Sequence, residues 1–207
     1  MRWLAAFASL LLLSSCTGPA YSNYQHYLDK KGLGAQSPES FKHCYGFGCK
    51  NTADVELTQK DWKDIKRVFR KSKNPESERA AIKKAIAMFE TKVGDITGTH
   101  VDEWGTFRKT GHYQLDCVDE SLNTTIYLDV LQQRGLLKHH TLETPTSRVP
   151  IIHAGRWPHQ TAVISENETG EFFAVDSWFH DNGNPPEIVP LTQWKQGWKP
   201  EAPDDTL

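Results

Sequence analysis

The spacing of the apolar residues changes once along this chain, near Gly135, and that change restricts the fold more than any other feature. Before it, apolar residues recur every three or four positions. Thr58 stands as a helix N-cap with Asp61 three residues on, followed by Trp62, Ile65, Val68 and Phe69. A second helix is expected from about Pro75 to Val93. Pro75 suits the first helical position, Ile82, Ile86, Phe89 and Val93 form one stripe, and Gly94 suits the C-terminal cap. A third is expected from Cys117 to Gln133, with Val118, Leu122, Ile126, Leu128 and Leu131 on its apolar side and Gly135 closing it. After Gly135 the period falls to two. Leu136 to Leu142 and Arg148 to His153 read as short strands. His159 to Ser165 and Glu171 to Phe179 are stronger strands, joined by a loop at 166–169 with Gly170 after it. Helices followed by antiparallel strands predict an α+β fold, with a helix packed on an antiparallel sheet.

The 207 residues suffice for one domain with appendages. With 24 basic against 26 acidic side chains, the chain lacks the basic excess of a dedicated nucleic-acid binder. Lys and Arg on the outer faces of the first two helices read as solvated surface. No apolar run of about 18 residues lies beyond the N-terminus, so no membrane-spanning domain is expected.

The N-terminus reads as an address. Met1-Arg2 is a short positive start, Trp3 to Leu13 is an uncharged apolar run, and Leu13-Ser14-Ser15-Cys16 follows. This layout is that of an export signal. The last four residues resemble the lipobox of bacterial lipoproteins. That resemblance implies a signal peptide over 1–15, acylation of Cys16 and a lipid-anchored protein of the cell envelope. If the host is Gram-negative, Thr17, where an Asp would retain such a lipoprotein at the inner membrane, points to the periplasmic side of the outer membrane. Residues 16–40, rich in Gly, Pro, Ser and Tyr, read as a flexible tether to a single domain over 41–207.

Four cysteines are too few for a disulfide scaffold. Outside the cytoplasm, Cys44 and Cys49, five apart with glycines between, can close a small disulfide loop. Neither CxxC nor CxxCH spacing is present to favour metal or haem. Cys117 then stands alone at the start of a predicted helix. There, unpaired N–H groups and the helix dipole favour a thiolate and can hold an oxyanion. The alternative is a buried apolar thiol.

A thiol nucleophile needs a base, and the base an orienting acceptor. If Ser165 pairs with Gly170 across the 166–169 loop, His159 stands opposite Asp176 on one face of the hairpin. A loop one residue longer or shorter would separate them. Gln-Leu-Asp-Cys117-Val-Asp-Glu, His159-Gln-Thr-Ala-Val and Phe-Ala-Val-Asp176-Ser-Trp together resemble the transglutaminase-like branch of the papain-like cysteine enzymes. The bacterial transglutaminase-like cysteine proteinases have a similar cysteine segment. The likeness covers roughly 110–180. Leu115 stands where that family has Gly, and Thr161 where an aromatic is frequent. The resemblance implies a papain-like core with Cys117 as nucleophile, His159 as base and Asp176 as orienter.

Gln114 or Tyr113 could donate to the oxyanion, although a plain loop role suits either. Asp119 and Glu120 resemble the family's acidic residues after the cysteine, and first-turn acids also suit any helix N-terminus. Trp157 and Trp178 could wall the cleft. A rival metal site would draw on His112, His139, His140, His153 and His159, but no HExxH spacing occurs. The expected activity is thioester-mediated hydrolysis or transfer of peptide or amide acyl groups. Proteins, peptides or peptidoglycan stem peptides are the substrates, and no cofactor is needed. A silent binding or assembly module is the alternative.

Overall fold

The computed structural model describes residues 23–105, 111–149 and 158–201. In chain order these form α1 (Asn23–Lys30), the strands β1 (Phe41–Tyr45) and β2 (Asn51–Val55), α2 (Gln59–Val68), α3 (Pro75–Thr97) and α4 (Cys117–Gln133). Then come β3 (His140–Arg148), β4 (His159–Glu166), β5 (Phe172–Asp176), β6 (Glu187–Pro190) and a short α5 (Leu191–Lys195). β1 and β2 form a separate antiparallel hairpin, and β3-β4-β5-β6 form one antiparallel sheet in that order. The class is α+β, mixed helix and antiparallel sheet.

α4 is the centre of the fold. Every residue from Asp119 to Leu131 is buried, so the helix is enclosed on all sides rather than on one stripe. β4 and β1 pack on it, and α3 leans against it through Phe89, whose ring stacks on Tyr127 at 4.8 Å. One core cluster joins α1 to α4, the small hairpin and the sheet. Local chemistry sets the helix starts. Thr58 and Asp61 make a capping box on α2, and Asn74 and Ser77 make one on α3.

Several boundaries differ from the sequence reading. Only 16–22 of the expected tether falls outside the described residues; from Asn23 onward the chain belongs to the body. Tyr24 and Leu28 of α1 and Leu33 are buried, and Gln36 accepts from the Lys42 N–H at 2.7 Å. A mixed Gly/Ser/Tyr composition hid a helix held by tertiary contacts. α3 runs one turn past Gly94, because Gly98, at φ 87°, is the left-handed cap. Gly94 is instead a close approach: a Cβ there would lie 3.0 Å from His100 backbone atoms. The two short strands expected at 136–142 and 148–153 are one strand, β3, with an irregularity between Glu143 and Thr146; residues 150–153 lie outside the described part. The β4–β5 register also differs. Ser165 pairs with Phe172 and Ala162 with Val175, a shift of two from the expected pairing. Gly170, at φ 72°, belongs to the turn, so the loop is 167–170 rather than 166–169. An even shift keeps the faces, and His159 and Asp176 stay on the same one.

Candidate active site

α4 delivers Cys117 as its first residue. Asp116 is the N-cap, its Oδ1 accepting from the Val118 and Asp119 N–H groups at 3.0 and 2.9 Å. The Glu120 N–H bonds the Asp116 carbonyl. The first-turn amides expected to face an oxyanion are therefore largely engaged. The Cys117 N–H, beside its own sulfur, is the donor left at this end.

The small hairpin braces this helix start. The Cys44–Cys49 disulfide is present and closes the β1–β2 turn. The Phe47 and Cys49 N–H groups donate to the two Asp119 oxygens at 2.8 and 2.6 Å, and Asn123 exchanges two bonds with the Cys44 backbone at 2.7 and 2.9 Å. Phe47 and Cys49 adopt positive φ to present those amides. Asp119 thus clamps a loop as well as suiting a helix N-terminus.

β4 and β5 bring the other two residues together. His159 Nε2 donates to Asp176 Oδ2 at 2.7 Å, both side chains being buried. The continued register sets Asp176 opposite Thr161, a diagonal that long side chains bridge. With Nε2 carrying the proton, Nδ1 holds the lone pair; it is buried without a hydrogen-bond partner among the described residues. The Cys117 sulfur lies within reach of the Gln160 backbone N–H, the residue after His159. The structure therefore bonds His159 to Asp176 and sets the Cys117 sulfur at the N–H of Gln160, the next residue along β4.

Two residues that the sequence reading did not single out for the site hold the acid. Trp194 of α5 donates Nε1–H to Asp176 Oδ2 at 2.7 Å. Arg148 stacks over the Trp194 ring at 4.5 Å and donates to the Trp194 and Trp198 carbonyls at 2.6 and 2.9 Å. No local pattern announces this chain, since it links β3, α5 and β5 across the fold. Around the imidazole stand Trp178, Phe179 and Trp194, at centroid distances of 4.8, 5.3 and 5.6 Å. Trp178 and Phe179 also border an open cavity of about 490 Å³, walled further by Trp104 and edged by Asp181 and Lys199. A larger hollow of about 620 Å³, beside Phe172 and Leu191, lies away from these groups.

Other expectations fail here. Gln114 is not an oxyanion donor in this arrangement: its Nε2 donates to the Val101 carbonyl at 2.8 Å and its Oε1 accepts from Glu103 N–H at 3.2 Å, bracing the loop before α4. Tyr113 packs against Tyr45 and over Gly98. Trp157 and His153 lie outside the described residues. Among the described residues no group of His, Cys, Asp or Glu is arranged to hold a metal. His140 is instead bonded to Glu78.

Burial also acts against the expected resting thiolate. Burial pushes the Cys117 thiol up to about 11, and the Asp116 and Asp176 carboxylates add to it. Behind the thiol lies a buried acid cluster. Burial lifts Glu90 to about 8, Asp102 to about 7 and Asp119 to about 6, with mutual repulsion adding, and raises Glu120 well above the carboxylate range. Asp102 accepts from the Leu115 N–H at 2.7 Å and shares a hydrogen bond with Glu120. Glu90 accepts from Gly183 N–H at 3.0 Å and bonds Ser177, the neighbour of Asp176. These carboxyls tie together the segments that carry Cys117 and Asp176.

Comparison with known proteins found no matching family model, no matching curated protein and no matching solved structure.

Proposed function

We propose that the protein is an envelope lipoprotein with a papain-like, transglutaminase-like domain. In this reading it hydrolyses or transfers peptide or amide acyl groups through a thioester on Cys117. The observation that carries the reading is the His159 imidazole: Nε2 is fixed on Asp176, while Nδ1 is an unpartnered buried base beside the strand residue whose N–H meets the Cys117 sulfur. Because the thiol rests protonated, His159 acts as a general base during attack rather than as partner of a standing thiolate. The S–C bond forms as the thiol proton passes to Nδ1. The C–N bond then breaks as the imidazolium returns that proton to the leaving amine. Water or a second amine, deprotonated by His159, attacks the thioester and frees the thiol. The Cys117 N–H faces the oxyanion. Trp178, Phe179 and Trp194 keep bulk water off the imidazole, and the cavity that Trp178 and Phe179 border, although neither His159 nor Cys117 lines it, has room for a peptide substrate. No cofactor enters this chemistry.

The lipid anchor rests on the sequence of residues 1–16. Among the described residues no helix is long and apolar enough to cross a membrane.

The test is turnover of peptide amides and muropeptides, with intact-mass detection of an acyl adduct on Cys117. Cys117→Ala should abolish the adduct, and His159→Ala should cut turnover about 10³-fold or more. Turnover retained in Cys117→Ala would sink the reading. One observation favours the silent-module alternative: a thiol raised to about 11 is a poor nucleophile unless its base is in place. That alternative predicts no adduct with any amide while the fold persists.

A further inference from the structure

The end of α4 opposite Cys117 is unassigned and carries its own charge pattern. α3 runs antiparallel to α4: the Glu78 side chain near its start accepts from the Lys138, His139 and His140 N–H groups that follow α4. The 3-10 turn Phe69–Lys71, which leads into α3, therefore sits at the same end. So does the entry of the chain into the body, because Tyr24 Oη donates to Asp129 Oδ1 at 3.0 Å in the last turns of α4. Lys66, Arg67, Arg70, Lys71, Lys73 and Lys138 are all exposed at this end. Against them stand Glu76, Asp64 paired with Arg67, Glu39 paired with Arg134, and Glu168 and Glu171 beside the 167–170 turn that bonds Lys138 and His139, so the basic excess is concentrated in the run from Lys66 to Lys73. At the site end Glu90, Asp102, Asp119 and Glu120 are buried and raised, so they bring little charge to the surface there. The exposed basic side chains between Lys66 and Lys73 thus cluster at the end of the fold opposite Cys117.

We propose that the basic end is a docking face for an anionic phospholipid surface, so that the molecule stands on the bilayer with Cys117 directed away from it. The proposal rests on the lipid-anchor reading for its direction of approach. Six residues separate Cys16 from Asn23, a span of at most about 25 Å, which keeps the basic end within reach of an acylated Cys16. One acyl signal combined with a polybasic patch is a recognised basis for stable anchoring. An anionic surface attracts the Lys66–Lys73 cluster, so orientation and attachment favour the same pose. The 17 residues of α4 then hold Cys117 about 25 Å from the membrane-facing end, where it acts on substrate projecting from the surface rather than on lipid.

The test uses the purified full chain, Cys117→Ser, with a fluorophore at Lys138→Cys in one sample and at His112→Cys in another, both exposed positions at opposite ends. Vesicles are phosphatidylcholine alone or with one-quarter phosphatidylglycerol, doped with a lipid-borne quencher. Quenching should be at least fivefold stronger at 138 than at 112 on the anionic vesicles. It should weaken several-fold in 0.5 M salt and on the neutral vesicles. Replacing Lys66, Arg70, Lys71 and Lys73 by Gln should erase the contrast while far-UV dichroism is unchanged. Equal quenching at both positions, stronger quenching at 112, indifference to lipid charge, or binding of soluble DNA but not vesicles would overturn the proposal. Acylation of Cys16, read from the mass of the N-terminal peptide of envelope-purified protein, is scored separately. Its absence removes the anchor, while the charge-dependent contrast still decides the docking face.

Discussion

The two ends of α4 bury carboxylates in opposite ways. At the far end Glu78 is fully buried, but it accepts from three backbone N–H groups and from His140 Nδ1. Burial acts to raise it, yet His140 and the amides outweigh that and hold it below the usual range. At the site end Glu90, Asp102, Asp119 and Glu120 are buried together, and every one is raised. No Lys or Arg among the described residues is a leading influence on these four. The difference teaches that burial alone does not set the charge of an acid; the supply of donors does. The far end is built to stay ionised and hold, whereas the site end keeps protons that it can lose.

The largest expected effect falls on the well-supplied end. Glu78→Ala would leave three amides and an imidazole nitrogen buried without an acceptor, and urea unfolding at pH 7 should show a loss of about 3–5 kcal/mol. A loss under about 1 kcal/mol would mean the end is not held as described. Because the folded Glu78 is depressed, its contribution is present above the unfolded value of about 4.3 and disappears as pH falls through its folded value.

The site end has the opposite sign. Acids raised in the folded state bind protons that the unfolded chain has already released, so their effect on stability is unfavourable as pH rises from about 4.3 toward the folded values near 6 to 8. Each such proton should make unfolding easier by about 1.4 kcal/mol per pH unit across that window. Asp176, Asp181 and Tyr127 face the same cluster. His43, pushed down to about 3 by burial, stays neutral beside Tyr127 and offers no counter-charge. Glu90→Gln and Asp102→Asn should flatten the fall between pH 6 and 8 in denaturant titrations. A wild-type curve flat over that range would show that the cluster holds no extra protons.

This contrast was not readable in the sequence, and the reason is physical. The start of α4 was legible because its signals are local: acids in the first turn and an apolar period that closes before Gly135; the cap at 116 went unread. The hairpin was legible in its faces but not in its register, since the turn composition at 166–170 tolerates either placement and only Gly170's backbone decides. The facing of His159 and Asp176 survived because a two-residue slip preserves parity. Unseen were α1, the partner strands on either side of the disulfide, the bond from Trp194 to Asp176 and the acid cluster. Each depends on which distant segments meet. Thr58 and Asp61 announce a helix by themselves; nothing near Glu90 announces Glu120.

The disulfide loop offers a smaller way to sharpen the comparison, since it braces only the site end. A loop this short should contribute about 2 kcal/mol through the unfolded state. Cys44→Ala with Cys49→Ala should therefore cost about that much in urea unfolding. It should also lower turnover by more than its stability loss accounts for, because Asp119 loses the two amides that fix the first turn of α4. If turnover at saturating stability is unchanged, the brace does not reach Cys117.

The smallest effect is the most specific. Asp116 and Asp176 both act to raise the Cys117 thiol. Removing either charge should lower it and make iodoacetamide alkylation at pH 8 about two- to tenfold faster. Asp116→Asn keeps a good cap, so it isolates the charge. Asp176→Asn should separate two quantities that usually move together: alkylation should rise while acyl turnover falls, because His159 loses the acceptor that sets its tautomer. In the wild type the alkylation rate should climb tenfold per pH unit from 7 toward 10, the mark of a protonated thiol. A plateau already present at pH 5 would instead require a standing thiolate–imidazolium pair. In that event His159 would outweigh both burial and the neighbouring carboxylates, and the site end would hold its charge as firmly as the far end does.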